Sequence, residues 1–307
     1  MEKALLEDNV EVLKKAVGRW MDHRLVLMAA SQFTAKKRLI DGGEFIKTAD
    51  AVKKSVSLFS PLRTIYFPMT GLILSGENPP AEEIKRIHTN YEQLRSAGFR
   101  STLFTYITAF LMEHHGTPAP ERIKAIYDEM KKYHRFLTSY EDYPSAAIIA
   151  KQDGQIEDLV KISEQYYNAL NDHGFYKGND LQFLANMLVM HGEYSNELLD
   201  HVLQTRDELK RSGLKVKQMH YAALGVIALS GKIKDAAAYA LDLSELKVFK
   251  WYKDMAIIAA SVFVSQEYID DAPAGLSAAI QAMIQAQQAA MAGGVAAAAA
   301  ASSSSSS

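Results

Sequence analysis

The sequence predicts an all-α fold: a right-handed superhelix, or solenoid, of about five to six helical hairpins with a period of about 38 residues. Three observations carry this. A glycine recurs in the middle of each unit (Gly42, Gly76, Gly116, Gly154, Gly192 and Gly231) at spacings of 34, 40, 38, 38 and 39. An apolar residue closes each unit (Phe59, Phe99, Phe136, Phe175 and Leu214) at spacings of 40, 37, 39 and 39. Uncharged helical segments such as Leu103–Met112 and Leu181–Met190 alternate with charged ones such as Glu121–Lys132. Two independent markers on one period point to stacked supersecondary units.

Residues 1–22 form an N-terminal capping helix, with Leu5, Val10, Leu13, Val17 and Trp20 at helical spacing. Residues 23–268 hold the hairpins, of which Leu103–Phe136, turning at Gly116–Pro120, is the type. In each unit an aromatic precedes the glycine by nine to eleven residues: Phe33, Tyr66, Tyr106, Tyr143, Phe183 and Tyr221. Ala109, Ala147 and Ala185 each precede it by seven, as suits helices that approach closely. Ser75, His115, Asp153, His191 and Ser230 lie directly before the glycines, which supply the left-handed conformation that ends a helix. Pro79–Pro80 and Pro118/Pro120 then start the second helix, with Glu82, Glu83 and Glu121 in its first turn. A helix apolar on every side is buried on every side. The first helices are therefore an inner layer and the charged second helices an outer, wetted one. An open stack leaves one side of that inner layer bare, so tight curvature, a dimer partner or the C-terminal segment must cover it. Residues 215–252 give a last, less regular unit and Trp251–Tyr268 a further apolar helix. Residues 269–307 are an Ala/Ser-rich tail without charge after Asp271. Ser277–Met291 has Ile280, Met283, Ile284 and Met291 on one face of a weak amphipathic helix, and the serine run is expected to be disordered.

Composition narrows function mainly by exclusion. Net charge is −2, and neither a basic excess nor a basic cluster marks the chain, so nucleic acid is an unlikely partner. There is no cysteine, hence no disulfide or thiolate metal site. The N-terminus lacks an apolar signal region, and the longest apolar run in the folded part, Met255–Val264, falls short of the ~20 residues that cross a bilayer. The expectation is a cytoplasmic protein without membrane insertion. His-Glu-x-x-His, a Gly-rich phosphate loop and Gly-x-Ser-x-Gly are all missing from the sequence. His114 and His115 beside Glu113 point about 100° apart on a helix and cannot easily share an ion. No catalytic residue, cofactor or metal is expected. Ser60 and Pro61 suit the start of a helix over Leu62–Ser75, kinked at Pro68, whose lone charge is Arg63. A cation in a first turn opposes the helix dipole and needs a compensating partner. Arg63, Tyr66, Tyr106, Tyr143 and Tyr221 are the candidate groove residues.

The segment from Thr105 to Tyr133, TYITAFLMEHHGTPAPERIKAIYDEMKKY, resembles a pentatricopeptide repeat. That family binds single-stranded RNA. The longer period, the missing base-reading residues and the missing basic groove leave only the hairpin architecture to carry over; a looser likeness extends to tetratricopeptide-type repeats. The Phe-Ser-Pro-Leu-Arg segment at 59–63, the glycine-punctuated helices and the uncharged tail together resemble an uncharacterised bacterial family, the domain-of-unknown-function family numbered four thousand and three. That resemblance implies a bacterial cytosolic helical protein of about this length, with no assigned activity. The leading functional expectation is a non-catalytic scaffold or adaptor that binds a protein or peptide, possible as a homodimer. The alternative is a small-molecule or apolar-ligand binder using an aromatic-lined inner groove or cavity.

Overall fold

Fourteen α-helices, with no strand, make up the described residues of the computed structural model, which are 2–18, 21–112, 119–135 and 137–271. Amphipathic and largely buried helices alternate. The amphipathic set is α1 (Lys3–Val17), α3 (Gly42–Lys54), α5 (Pro80–Ser96), α7 (Pro120–Tyr133), α9 (Ile156–Asp172), α11 (Asn196–Arg211) and α13 (Ile233–Glu245). The buried set is α2 (His23–Ala35), α4 (Tyr66–Ser75), α6 (Leu103–Leu111), α8 (Tyr143–Ala150), α10 (Asn179–Leu188), α12 (Tyr221–Ser230) and α14 (Met255–Asp271). Every residue of α8 is buried, as is all of α6 beyond Leu103, so these helices form an inner layer enclosed by the outer one.

The packing hairpin is out of phase with the one the sequence suggests. Each inner helix packs on the outer helix that precedes it, α6 on α5 and α8 on α7, while α6 and α7 touch slightly at most. Seven such outer–inner pairs form, more than the five to six counted from the markers, because α1–α2 and α13–α14 pair like the rest. The cause lies in how outer helices end. Gly98 adopts φ 90° and lets Phe99 N–H bond back to Leu94 C=O and its own N–H to Arg95 C=O. This reverses the chain and drops the following apolar residue onto the helix just completed. Gly174–Phe175 and Gly213–Leu214 repeat the device. The mid-unit glycines serve less uniformly. Gly154, Gly192 and Gly231 have positive φ, whereas Gly76 is extended and Gly42 opens α3 behind an Asp41 cap.

Inner helices carry almost no charge, so their C-terminal carbonyls are satisfied by outer-layer side chains and, at α4, by the lysine that ends α2. Arg86 of α5, itself buried and paired with Glu83, donates to Phe110 C=O at 2.9 Å and also to Met112 C=O, and Asn90 joins it at Met112 C=O at 2.7 Å. Arg122 of α7 reaches Ala150 and Gln152 C=O at 3.2 and 2.7 Å, and Lys36 bonds Ser75 C=O at 2.7 Å.

Neighbour contacts run from α2 through α4, α6, α8, α10 and α12 to α14, with the short 3-10 turn Pro61–Ile65 bridging α4 and α6. They do not stop there. α14 packs on α2 as well as on α12, closing the order into a ring. Lys3–Asp242 at 3.1 Å and His23 Nε2 against Val248 C=O at 2.8 Å tie the same seam in the outer layer and at its rim. An open stack would leave the layer with two free ends; here α14 fills the gap between α12 and α2. Leu27, Met28 and Ser31 face Met255, Ile258 and Val262 across a void of about 10 Å³, room for a single water.

Other local expectations shift. The N-terminal helix stops at Val17 and buries Leu6, Asn9, Val10 and Leu13 rather than Leu5. Residues 61–65 form a 3-10 turn and α4 begins at Tyr66, so Pro68 falls in a first turn that needs no N–H there and introduces no kink. Trp20, His114, His115, Gly116, Phe136 and the tail, with its helix at 277–291, lie outside the described residues.

Candidate functional site

One rim of the ring carries every connection from an outer helix to an inner one, and direct bonds join successive connections. Ser60 Oγ donates to Tyr106 Oη at 3.2 Å, Arg100 N–H to Tyr143 Oη at 3.4 Å, and Tyr176 N–H to Tyr221 Oη at 3.1 Å. Asn179 bonds Glu141 at 3.3 Å, and Lys217 bonds Asp254 at 2.6 Å. Three of the recurrent aromatics, Tyr106, Tyr143 and Tyr221, thus fasten an inner helix to the outer-to-inner connection of the hairpin before. Its ring lies buried on an outer-helix aromatic or a unit-closing Phe: Tyr106 stacks on Tyr91 at 4.0 Å, Tyr143 packs edge-on to Phe99 at 4.6 Å, and Tyr221 packs on Phe175 at 4.7 Å. Burial raises the Tyr106 and Tyr221 hydroxyls above the usual phenol range, so both stay neutral.

The five candidate residues are therefore distributed around the rim rather than gathered in one groove. Tyr66 is half-buried beneath the Lys53 ammonium, 4.8 Å from its ring centre. Arg63 donates from Nη2 to Lys53 C=O at 3.0 Å, so the compensating partner of this cation is the C-terminal end of α3 rather than a carboxylate. Its Nε is buried without a partner.

Two features of this rim were not foreseen. First, large side chains stand free on it: Phe59 is 97% exposed, Trp251 81% and Tyr176 72%, with Leu58 and Tyr140 also exposed. Each belongs to an outer-to-inner connection. Second, the rim gathers a basic cleft. Between the end of α5, the face of α7 and the connection into α8 lies a depression of about 380 Å³ lined by Arg100, Lys124, Lys131 and Arg135, with Asp128 as its lone acid. Its aromatic lining is Tyr127, Tyr140 and Tyr143. Lys124 and Lys131 both stand 5.7 Å from the Tyr127 ring centre, and Lys124 is paired with Asp128 at 2.5 Å. Burial, ahead of the neighbouring Tyr143 and Asp142, pushes the Tyr127 hydroxyl up to about 12, which keeps it a neutral donor. Four cations spread over 36 positions leave no cluster in the sequence; α7 and the turn at Gly98 bring them together.

The corresponding depression two outer–inner pairs on, about 360 Å³ between Tyr176 and Tyr221, is not equivalent. There Lys217 is spent on Asp254, and Arg206 of α11 donates to His173 C=O at 2.7 Å. Among the described residues no group of three or more His, Asp or Glu is placed to hold a metal ion, and no helix is long and apolar enough to cross a membrane.

The sequence model of the family described as "Protein of unknown function (DUF4003)" matches residues 9–289, and the chain belongs to that family. It is similar to the "Uncharacterized protein YeaA" of Bacillus subtilis (strain 168), with 27% identity over 281 residues that cover 87% of this chain and 85% of that protein. No solved structure matches.

Proposed function

We propose that this member of the family is a non-catalytic interaction protein whose working surface is the rim where outer helices turn into inner ones. The observation that supports it is the free exposure of Phe59, Tyr176 and Trp251 on connections of that one rim. Aromatic side chains supply much of the binding energy at protein interfaces, and an apolar surface left bare in water is otherwise a cost. The ring itself serves as a rigid frame. We read its hairpins as copies of one unit of about 38 residues, as the repeated Gly98–Phe99, Gly174–Phe175 and Gly213–Leu214 ends and the tyrosine fastenings suggest. Such frames present extended surfaces without needing reactive groups.

The test is affinity capture from the native host with the full chain and with a Phe59→Ser/Tyr176→Ser/Trp251→Ser variant. All three side chains are exposed, so the variant keeps its melting temperature. The expected result is a defined set of proteins retained by the parent and lost by the variant. Equal capture by both sinks the rim as the binding surface.

A second reading, a binder of small ligands, is favoured by one observation: Tyr143 lines a basic cleft at the rim. The apolar inner layer supports it less, since the residues of α4, α6, α8 and α12 are packed nearly all round.

A further inference from the structure

The cleft between α5, α7 and the connection into α8 has a charge balance unlike the rest of the molecule. The whole chain has 34 basic and 36 acidic residues, yet this one depression sets Arg100, Lys124, Lys131 and Arg135 against Asp128 alone. Asp128 neutralises Lys124. Arg100 and Arg135 are exposed, and neither guanidinium has a carboxylate partner among the described residues. Two unpaired arginines and a lysine converging on one concavity repel one another, and an anion bound among them relieves that repulsion. Guanidinium groups grip phosphate through paired N–H donors. The cleft volume of about 380 Å³ falls in the ~300–1,000 Å³ range of small-molecule sites, larger than one inorganic anion requires. Its remaining wall combines Gly98, Thr138 and Ser139 with three tyrosines, of which Tyr140 is half exposed, with Phe104 at 6.3 Å between ring centres, and offers a surface for a planar group.

We infer that this cleft binds a phosphorylated small molecule of nucleotide size, its phosphates held by Arg100, Lys131 and Arg135 and its planar ring set against Tyr140. The site goes beyond the partner-binding reading and does not depend on it, since none of Phe59, Tyr176 and Trp251 lines the cleft. Loss of one reading leaves the other standing.

Isothermal titration of the full chain at low salt, with ADP and with pyrophosphate as probes, tests it. ADP is expected to bind more tightly than pyrophosphate, and both to weaken as salt is raised. Arg100→Ala/Arg135→Ala, at two exposed positions, is expected to lose about tenfold or more in affinity for both probes. Tyr140→Ala is expected to lose affinity for ADP and leave pyrophosphate unchanged. Lys177→Ala, on the next connection of the same rim, is expected to alter neither. Absence of heat with both probes, or parental affinity in the double arginine variant, overturns the site. A single-stranded oligonucleotide binding far more tightly than ADP overturns the small-molecule assignment in favour of a nucleic-acid strand.

Discussion

Asp142 shows how a single side chain at the rim is governed by its surroundings. It sits buried in the turn before α8, accepting one bond from Ser139 N–H at 2.9 Å. Burial raises its carboxyl from 3.8 to about 7, with the Ser139 bond opposing and Glu141 adding to the rise. Between about pH 4 and pH 7 the folded protein therefore holds a proton that the unfolded chain has released, and stability falls as pH rises through that interval, then levels. His220 works the other way. Burial lowers it from 6.5 to about 4, and it stays neutral with Nδ1 accepting from Lys217 N–H and Nε2–H donating to Asp254 C=O. Between about pH 4 and 6.5 the unfolded chain is the better proton binder at this residue, so stability rises with pH. The two nearly offset each other over one window. Asp142→Asn keeps an acceptor for Ser139 N–H and removes the ionisation. Urea midpoints followed against pH are then expected to climb from pH 4 to 6.5 without the opposing fall, and near pH 8 the variant should exceed the parent by on the order of a few kcal/mol. A pH profile identical to the parent's would mean that Asp142 ionises as freely folded as unfolded. Nothing in the sequence marks Asp142, since burial of a carboxylate is decided by what packs over it and not by its own neighbours in the chain.

At the scale of the helix, the sequence was informative about kind and poor about pairing. The absence of charge in Leu103–Leu111 and Tyr143–Ala150 was enough to assign an inner layer, because burial on every side has no other compositional solution. Which outer helix an inner one packs on differs from the hairpin the sequence suggests. The mid-unit glycine and prolines look like the tight turn of a hairpin, but the sharper reversal is at Gly98, Gly174 and Gly213, where the left-handed residue immediately precedes the apolar marker. Reading Gly-Phe and Gly-Leu as one helix-ending motif would have set the phase. Close helix approach can be tested at two glycines that the sequence treats alike. A Cβ on Gly225 of α12 would lie 2.6 Å from Leu184 Cδ1 and 3.7 Å from Leu188 Cδ2 on α10, whereas one on Gly71 of α4 would meet Ala29 Cβ at an ordinary 3.4 Å. Gly225→Ala therefore overpacks a fully buried leucine and is expected to lose ~1–3 kcal/mol, less the ~1 kcal/mol that alanine gains over glycine in a helix. Gly71→Ala should keep that gain and melt at or above the parent temperature. Thermal unfolding of both variants checks the pair; the same sign of shift in both would contradict this reading of the α10–α12 approach.

For the molecule as a whole, the property furthest from the sequence is the seam. Periodicity predicts a stack but says nothing about whether its ends meet, because α2 and α14 lie more than 200 residues apart and no motif records their contact. The basic cleft is likewise a product of packing, since Arg100 comes from the turn after α5 and Lys124, Lys131 and Arg135 from α7 and its end. Closure has a consequence that an open stack lacks. In a linear array the terminal units have one neighbour and open locally at low free energy, so their amides exchange ahead of the rest. Here α14 is packed on α2, α12 and α13, and α2 on α1, α4 and α14, so neither inner helix is an end. Hydrogen exchange under native conditions is expected to show residues 256–264 and 25–34 protected to the same degree as 145–150 in α8. Ile258, buried at the seam, gives the sharper test. Ile258→Ala should cost ~2–5 kcal/mol, the usual range for truncating a buried isoleucine. In a closed ring that loss is shared, so exchange should quicken across α4, α8 and α12 together. Faster exchange confined to α14 and its immediate neighbours, with α8 unchanged, would show that the ring opens at this seam without unfolding and that the two ends are separable.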